Sequence, residues 1–295
     1  MPKTKKMSLT TFMNHFSTNE ACYAFLEKKR WSKGFVCPKC GGTKCCKLAN
    51  GRYQCSACRR QTSVTANTFL HRSHVSLVKW FLAIYFVTND KRGISAVQLA
   101  SAIGVTYKTA WYMLKRIRSA MGERDKQHFL TGIIEFDDTY IGGPEAGSKR
   151  GRGTTKSKVF VGLSLTKKGY PKYLKMGVTE NLKQKAVKNF ATQSFLKGST
   201  VLSDGYCSYI PALKDDFDHQ HKVYDPNGSE LKWLHTIISN AKAAILGTYH
   251  GLPKKYLQSY LDEFCYRFSR RNFGDNLFDR LTIALVASSV ADSKG

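Results

Sequence analysis

Residues 131–143, TGIIEFDDTYIGG, form the segment on which the fold of this chain turns. The run is β-branched and aromatic and is bounded by glycines, so it predicts a strand set into a sheet. Two adjacent carboxylates, Asp137 and Asp138, interrupt it. An ionised carboxylate taken out of water without a partner costs several kcal/mol, so the strand must supply it with hydrogen bonds, a cation or a metal. Alternation sends Ile134, Phe136 and Asp138 to one face and Ile133, Glu135 and Asp137 to the other. Both faces are partly apolar, and periodicity alone does not choose between the aspartates.

Downstream, KVFVGLSLT and PKYLKMGVT repeat the strand pattern behind Gly- or Lys-rich turns, and three sequential short strands predict a meander. A helical stretch, residues 181–196, leads to a fourth strand, STVLSD, which ends at Asp204 before a Gly205 turn. Ser-Asp-Gly also serves as an ordinary turn, but a carboxylate there reaches the carboxyl edge of a sheet. Carboxylates on neighbouring strands can bridge two Mg²⁺ ions ~3.5–4 Å apart, activating a nucleophilic oxygen and stabilising the leaving oxygen of in-line phosphoryl transfer. A third ligand is expected from the helical pattern of residues 230–268. In ELKWLHTIISNAKAAILGTYHG the polar residues in reach are Glu230, His235, Asn240 and Lys242. His235 and Lys242 are a heptad apart and share a helix face. Asn240 and Lys242, two apart, do not.

Upstream, residues 7–33 predict a Ser- or Thr-led docking helix with Ala21, Phe25 and Leu26 on one face. The chain has nine cysteines, and six of them lie between Cys37 and Cys58. Cys37-Pro-Lys-Cys40 and Cys55-Ser-Ala-Cys58 are two knuckles separated by 14 residues, close to the spacing of a structural four-cysteine zinc site. Cys45 and Cys46 fall outside the repeat. SHVSLVKWFLAIYFVT, residues 73–88, predicts an apolar helix. The stretch GISAVQLASAIGVTYKTAWYMLKRIRSAM then predicts two helices hinged at Gly104, the layout of a helix-turn-helix. That layout would present Thr106, Tyr107, Lys108 and Thr109 to a major groove, with Lys115, Arg116 and Arg118 on the phosphate backbone.

Lys plus Arg number 47 against 21 Asp plus Glu, a formal charge of +26, which is the electrostatic footprint of a polyanion binder. No apolar run approaches a transmembrane helix and no signal peptide is evident, so a cytoplasmic, nucleoid-associated protein without a membrane partner is expected. The loop from Lys149 to Lys158 adds Lys149, Arg150 and Arg152 as expected DNA contacts near the metals.

The segments RWSKGFVCPKCGG, YQCSACRRQTSVTANTF, EFDDTYIGG with KRGRGTTK, VLSDGYCSY, and NAKAAILGTYHG through YLDEFCYRFSRR, in this order, resemble the insertion-sequence transposases of the DDE superfamily that carry an N-terminal zinc ribbon, an ISXO-like group. The resemblance spans residue 8 to about residue 272. It implies an α/β, RNase H-like catalytic domain, a mixed sheet with flanking helices, preceded by a zinc ribbon and a helix-turn-helix domain. It also implies Mg²⁺- or Mn²⁺-dependent DNA cleavage and joining with two catalytic ions beside a structural Zn²⁺. By the same resemblance Asp137 is the first family aspartate, Asp138 stands where relatives often have glutamate, and Asp204 is the second aspartate. Aligned on LGTYHG, the family's third acid falls on His235 and its following basic residue on Lys242; Asn240 stays as the alternate third residue.

The expected organisation is an N-terminal helix and zinc ribbon over 1–68, a helix-turn-helix domain over 69–125, a catalytic domain over 126–285 and a tail over 286–295. The expected partners are double-stranded transposon ends and target DNA, with a homo-oligomer assembled on them. Two rival readings are a non-catalytic DNA-binding regulator, which leaves the strand carboxylates unexplained, and a nuclease of the same fold that cuts without joining.

Overall fold

The computed structural model describes residues 7–143, 154–222, 231–249, 252–274 and 276–287. They fall into two compact units, one within residues 1–121 and 272–295, the other within 122–271.

The first unit is helical around a small ribbon. Helices α1 (Leu9–His15) and α2 (Asn19–Arg30) start at Ser8 and Thr18, whose hydroxyls accept the N–H groups of Thr11 and Ala21. The single docking helix expected over 7–33 is therefore two, because a second cap interrupts the run. Strands β1 (Cys45–Lys47), β2 (Tyr53–Cys55) and β3 (Gln61–Thr62) form an antiparallel sheet with Cys45 opposite Cys55. The ribbon's small core of Phe35, Tyr53, Cys37 and Cys55 is closed by Trp31 at the end of α2, its ring 4.6 Å from that of Tyr53. Helix α3 (Leu77–Asn89) is buried along most of its length. Helix α4 (Ala96–Ile103) carries a Ser95/Gln98 capping box and stops at Gly104, whose φ of +61° is a left-handed conformation open to glycine at little cost. Helix α5 (Tyr107–Lys126) follows at once.

The last helix, α10 (Asn276–Ala287), departs from the expected domain plan. Residues up to 285 were expected to close the catalytic domain, yet Phe278 packs against Phe12, Phe16, Phe25 and Phe81 of the first unit. Asp279 pairs with Lys29 at 2.5 Å, and the Leu285 carbonyl accepts the N–H of Phe69. The aromatic cluster under α1, α2 and α3 lacks a lid in its own stretch of sequence, and α10 supplies it.

The second unit is built on a five-stranded mixed sheet. Strands β4 (Ile133–Ile141), β5 (Ser157–Leu165) and β6 (Pro171–Thr179) form the expected antiparallel meander, and β7 (Thr200–Ser203) and β8 (Asp218–His221) add in parallel on the other side of β4. The order is β6-β5-β4-β7-β8, with β4 at the centre. On one face, Ile134, Phe136, Phe160 and Val201 pack beneath α6 (Gln184–Ser194) and α7 (Tyr209–Leu213). Phe195 and Phe190 lie directly on the sheet because Gly162 and Gly177 present no side chain; a Cβ there would stand 2.5 Å and 2.7 Å from those rings. On the other face, Val159, Val161, Leu163, Leu174 and Met176 pack beneath α8 (Lys232–Thr248) and α9 (Leu257–Ser269). The outer edge of β6 is covered by α9. There Gln258 accepts the N–H of Val178 and donates to the carbonyl of Met176, as a neighbouring strand would. This helix–sheet–helix layering is the α/β, RNase H-like architecture expected from the sequence.

Candidate metal centres and active site

The four cysteines of the ribbon converge as the knuckle spacing requires. Cys37, Cys40, Cys55 and Cys58 bring their Sγ atoms within 4.8 Å of one another. Each knuckle folds its own backbone amides onto its first sulfur. N–H groups of Cys40 and Lys39 hold the Cys37 thiol down to about 6, and the Cys58 N–H lowers that of Cys55. Four converging sulfurs, the first of each knuckle held toward thiolate by backbone donors, suit a tetrahedral zinc ion, while the neighbouring sulfurs push the Cys40 thiol up. Cys45 lies across the hairpin from Cys55 and Cys46 is exposed on β1; neither joins the cluster.

The second centre is assembled by the sheet. In the parallel pairing of β4 with β7, Phe136 is opposite Ser203, so the next residue on each chain is an aspartate: Asp137 on one, Asp204 on the other. Asp204 leaves the strand in a turn in which its Oδ1 accepts the N–H of Tyr206. The two β4 aspartates part company by face. Asp138 points toward α7 and accepts the Tyr209 hydroxyl at 2.6 Å. Burial, then the neighbouring Asp138, pushes that phenol well above the usual tyrosine range, so it stays a donor. Asp137 points to the opposite face, where His235 Nε2 of α8 lies 3.3 Å from its Oδ2. The hydrogen bond to Asp137 raises the imidazole pKa, and the charges of Glu135 and Asp204 reinforce it.

Helix α8 sorts its own candidates. Leu234, Ile237, Ile238, Ala241 and Ile245 form the buried stripe. His235 and Lys242 sit along one margin of that stripe, as their heptad spacing predicts. Burial, followed by repulsion from Lys156, lowers the Lys242 pKa, while Asp137 opposes the shift; Lys242 is thus an electrostatic neighbour of both. Asn240 is five residues from His235, roughly 140° around the helix, and is exposed. The structure thus gathers Asp137, Asp204, His235 and Lys242, and leaves Asn240 outside the group.

Two carboxylates and an imidazole suit a hard divalent cation such as Mg²⁺ or Mn²⁺. Among the described residues only the four cysteines bring three or more ligand atoms to one point. The acidic group is an open set of electrostatic neighbours, able to hold a cation with positions left for water and substrate.

The expected DNA contacts divide. Thr106, Tyr107 and Lys108 are exposed at the start of α5, Tyr107 by 55%, and Lys115, a heptad beyond Lys108, is exposed as well. Arg116 instead donates to the carbonyls of Phe69 and His71 and stacks on Tyr112. Arg118 is only 2% exposed, so the expected phosphate contact is overturned. Its position on α5 falls on the face carrying Leu114, Ile117 and Met121, and the sequence's cluster of cations hid that geometry. Lys149, Arg150 and Arg152 lie outside the described residues. Sequence reasoning gave no role to Glu135 or Tyr209. Glu135 carried a signal, since alternation places it on the face of Asp137; Tyr209 carried none.

Residues 129–269 match the ISXO2-like transposase domain, and residues 17–61 match the transposase zinc-ribbon domain. A protein of Halobacterium salinarum described as an uncharacterized protein in transposable element ISH50 is 29% identical over 268 residues, covering 81% of this chain and 87% of its own. Among solved structures, the Mos1 mariner paired end complex with Mn aligns at 14% identity and a TM-score of 0.29, over 65% of this chain and 71% of that one. A pre-cleavage Mos1 transpososome aligns at 12% and 0.26, over 70% and 78%. No helix among the described residues is long and apolar enough to cross a membrane. Residues 17–61 and 129–269 thus match, in that order, a transposase zinc ribbon and an ISXO2-like transposase domain, and the relative that aligns over most of the chain also comes from a mobile element.

Proposed function

We propose that this chain binds the terminal inverted repeats of its own element and performs metal-dependent DNA strand cleavage followed by strand transfer. The observation that carries the reading is the juxtaposition of Asp137 and Asp204 just past the last paired residues of β4 and β7, with His235 at 3.3 Å from Asp137. In this reading Asp137 and Asp204 hold the catalytic cations, and His235 takes the place of a third acid. Bound there, two divalent ions supply activation of the attacking oxygen and stabilisation of the leaving one.

The remaining work belongs to the chain's own groups. Lys242 offsets the charge of the scissile phosphate, a task suited to a cation within electrostatic reach of Asp137, with Lys156 as its neighbour. The β4 and β7 carboxylates would hold the cations against which the reacting phosphate is oriented, and water, then a freed 3′-hydroxyl, acts in line with the leaving oxygen. No covalent protein intermediate is required. The formal charge of +26 supplies attraction to DNA, and the ribbon with the α4–α5 helix pair supplies end recognition. Joining two ends calls for at least two copies on DNA. A neutral imidazole in place of a carboxylate leaves the site less negative, so weaker metal binding than a three-acid site is expected.

The test is a pair of assays on Asp137→Ala and Asp204→Ala. Cleavage of a labelled transposon end falls by at least about 10³-fold in each, while binding to that end survives. Retained cleavage in either variant overturns the site assignment. A pre-cleaved end with a free 3′-hydroxyl, offered with target DNA to the unmodified chain, separates a transposase from a nuclease, because only the former joins the strands.

A further inference from the structure

Glu135 precedes Asp137 by two residues on the same face of β4 and is 6% exposed, yet the reaction proposed above gives it no task. Its Oε2 accepts the backbone N–H of Leu234 at 2.9 Å. Leu234 is the third residue of α8, and α8 begins without a side-chain cap: Leu231, at the cap position, has a φ of +54° and makes no capping bond. The first turn of a helix leaves N–H groups without intrahelical acceptors and carries a partial positive charge. A carboxylate answers both needs. Here it comes from the central strand, 99 residues away in sequence.

The consequence lies in the next residue, His235. Helix α8 sits on the sheet through Leu234, Ile237, Ile238, Ala241 and Ile245, and apolar packing of this kind is non-directional. It sets how close the helix lies more firmly than how the helix is turned. A hydrogen bond from the helix's first turn to a buried carboxylate is directional, and it is anchored on the same strand as Asp137. The far end of α8 is held separately: the Tyr249 hydroxyl donates to Glu263, a buried carboxylate that also meets Arg267 at 3.3 Å. Loss of the near tether therefore leaves the helix seated and frees only its first turn.

We propose that Glu135 is a positioning residue: by capping α8 from β4, it holds His235 in register with Asp137. The proposal rests on the reading of Asp137 and His235 as a cation-binding pair. The test compares E135A, E135Q and E135D with D137A, H235A and the double variant E135A/H235A, in the full-length protein. Transposon-end cleavage is followed against Mn²⁺ concentration, alongside thermal melting, end binding and hydrogen exchange of the Leu234 amide.

The expected result is that E135A melts cooperatively and binds ends, exchanges the Leu234 amide faster, and needs at least about tenfold more Mn²⁺ for half-maximal cleavage. E135Q, which keeps an oxygen to accept the N–H, stays within about threefold of the unmodified chain. The double variant is no worse than H235A, because both changes remove one arrangement. Should E135A fail to melt cooperatively, E135D carries the same comparison, paired with E135D/H235A: it keeps the charge but withdraws the acceptor. Unaltered Mn²⁺ dependence in the folded E135 variant, or losses that multiply with H235A, overturns the proposal. Active D137A instead sinks the underlying site reading, and inactive D137A beside a normal E135A sinks the positioning role alone.

Discussion

The ribbon cysteines and the acidic group beside β4 are two candidate metal centres built on opposite terms. Four sulfurs from residues 37–58 close on one point with only a hairpin between the knuckles. The acidic group draws Asp137 from β4, Asp204 from the end of β7 and His235 from α8, 98 residues from the first. The ribbon's own core holds four buried residues, too few to stand without the ion, whereas the acidic group rests on a sheet covered by helices on both faces. A closed local centre serves the fold; an open, distributed one depends on the fold and leaves positions for a substrate.

The largest expected effect tests that contrast directly. Removing zinc with a chelator, or replacing Cys37 and Cys40 with serine, takes away a binding free energy of ~10–16 kcal/mol that doubles as folding energy for such segments. Residues 35–62 should lose protection from hydrogen exchange and end binding should collapse, while the unit of residues 122–271 keeps its protected sheet. Loss of both units together breaks the contrast. The mirror experiment, Asp137→Ala, is expected to leave exchange protection in both units unchanged.

A smaller effect sharpens the open centre. His235→Ala is expected to cut end cleavage by about ten- to a hundredfold and to shift metal dependence, with Asn240→Ala staying within about twofold of the unmodified chain. The reverse ranking would move the third position to Asn240 and mean that α8 turns on binding DNA.

The smallest effect concerns a carboxylate with no place in either centre. Asp262 on α9 is pushed up to about 6, chiefly by burial and against a hydrogen bond from Gln258. Its ordinary value is 3.8, so the folded state binds the proton more tightly than the unfolded one. Stability should then fall as pH rises from about 4 to about 6 and stay reduced above that. Asp262→Asn, which keeps an acceptor for Gln258, should recover on the order of 1–3 kcal/mol at pH 7 and flatten this part of the profile in thermal melts. An unchanged profile would mean that Asp262 is ionised in the fold at no cost.

Much of the architecture is legible because its signals are local. Alternating runs announce β4, β5 and β6, and the turn after Ile103 announces the α4–α5 pair. Short elements are not legible: β8 reads DHQH and α7 reads YIPAL, neither with a period long enough to register. Arg118 misled because charge implies exposure on average, whereas its place on α5 is set by the helix's phase. Helix α10 lies beyond the helical pattern read over residues 230–268, and its place beside α1, α2 and α3 was not legible, since aromatic packing carries no address in the sequence.

The sequence by itself determined the zinc knuckles, the central strand, the presence of carboxylates that need a cation, and a helix able to put His235 and Lys242 on one side. Those features depend on spacing along the chain, which sequence displays directly. Only the tertiary structure decided that Asp137 and not Asp138 faces His235, that Asp138 is engaged by Tyr209, that Asn240 turns away, and that Glu135 caps α8. Each of those depends on which element covers which face of the sheet. That choice is made by packing among segments distant in sequence, after every local preference has been satisfied.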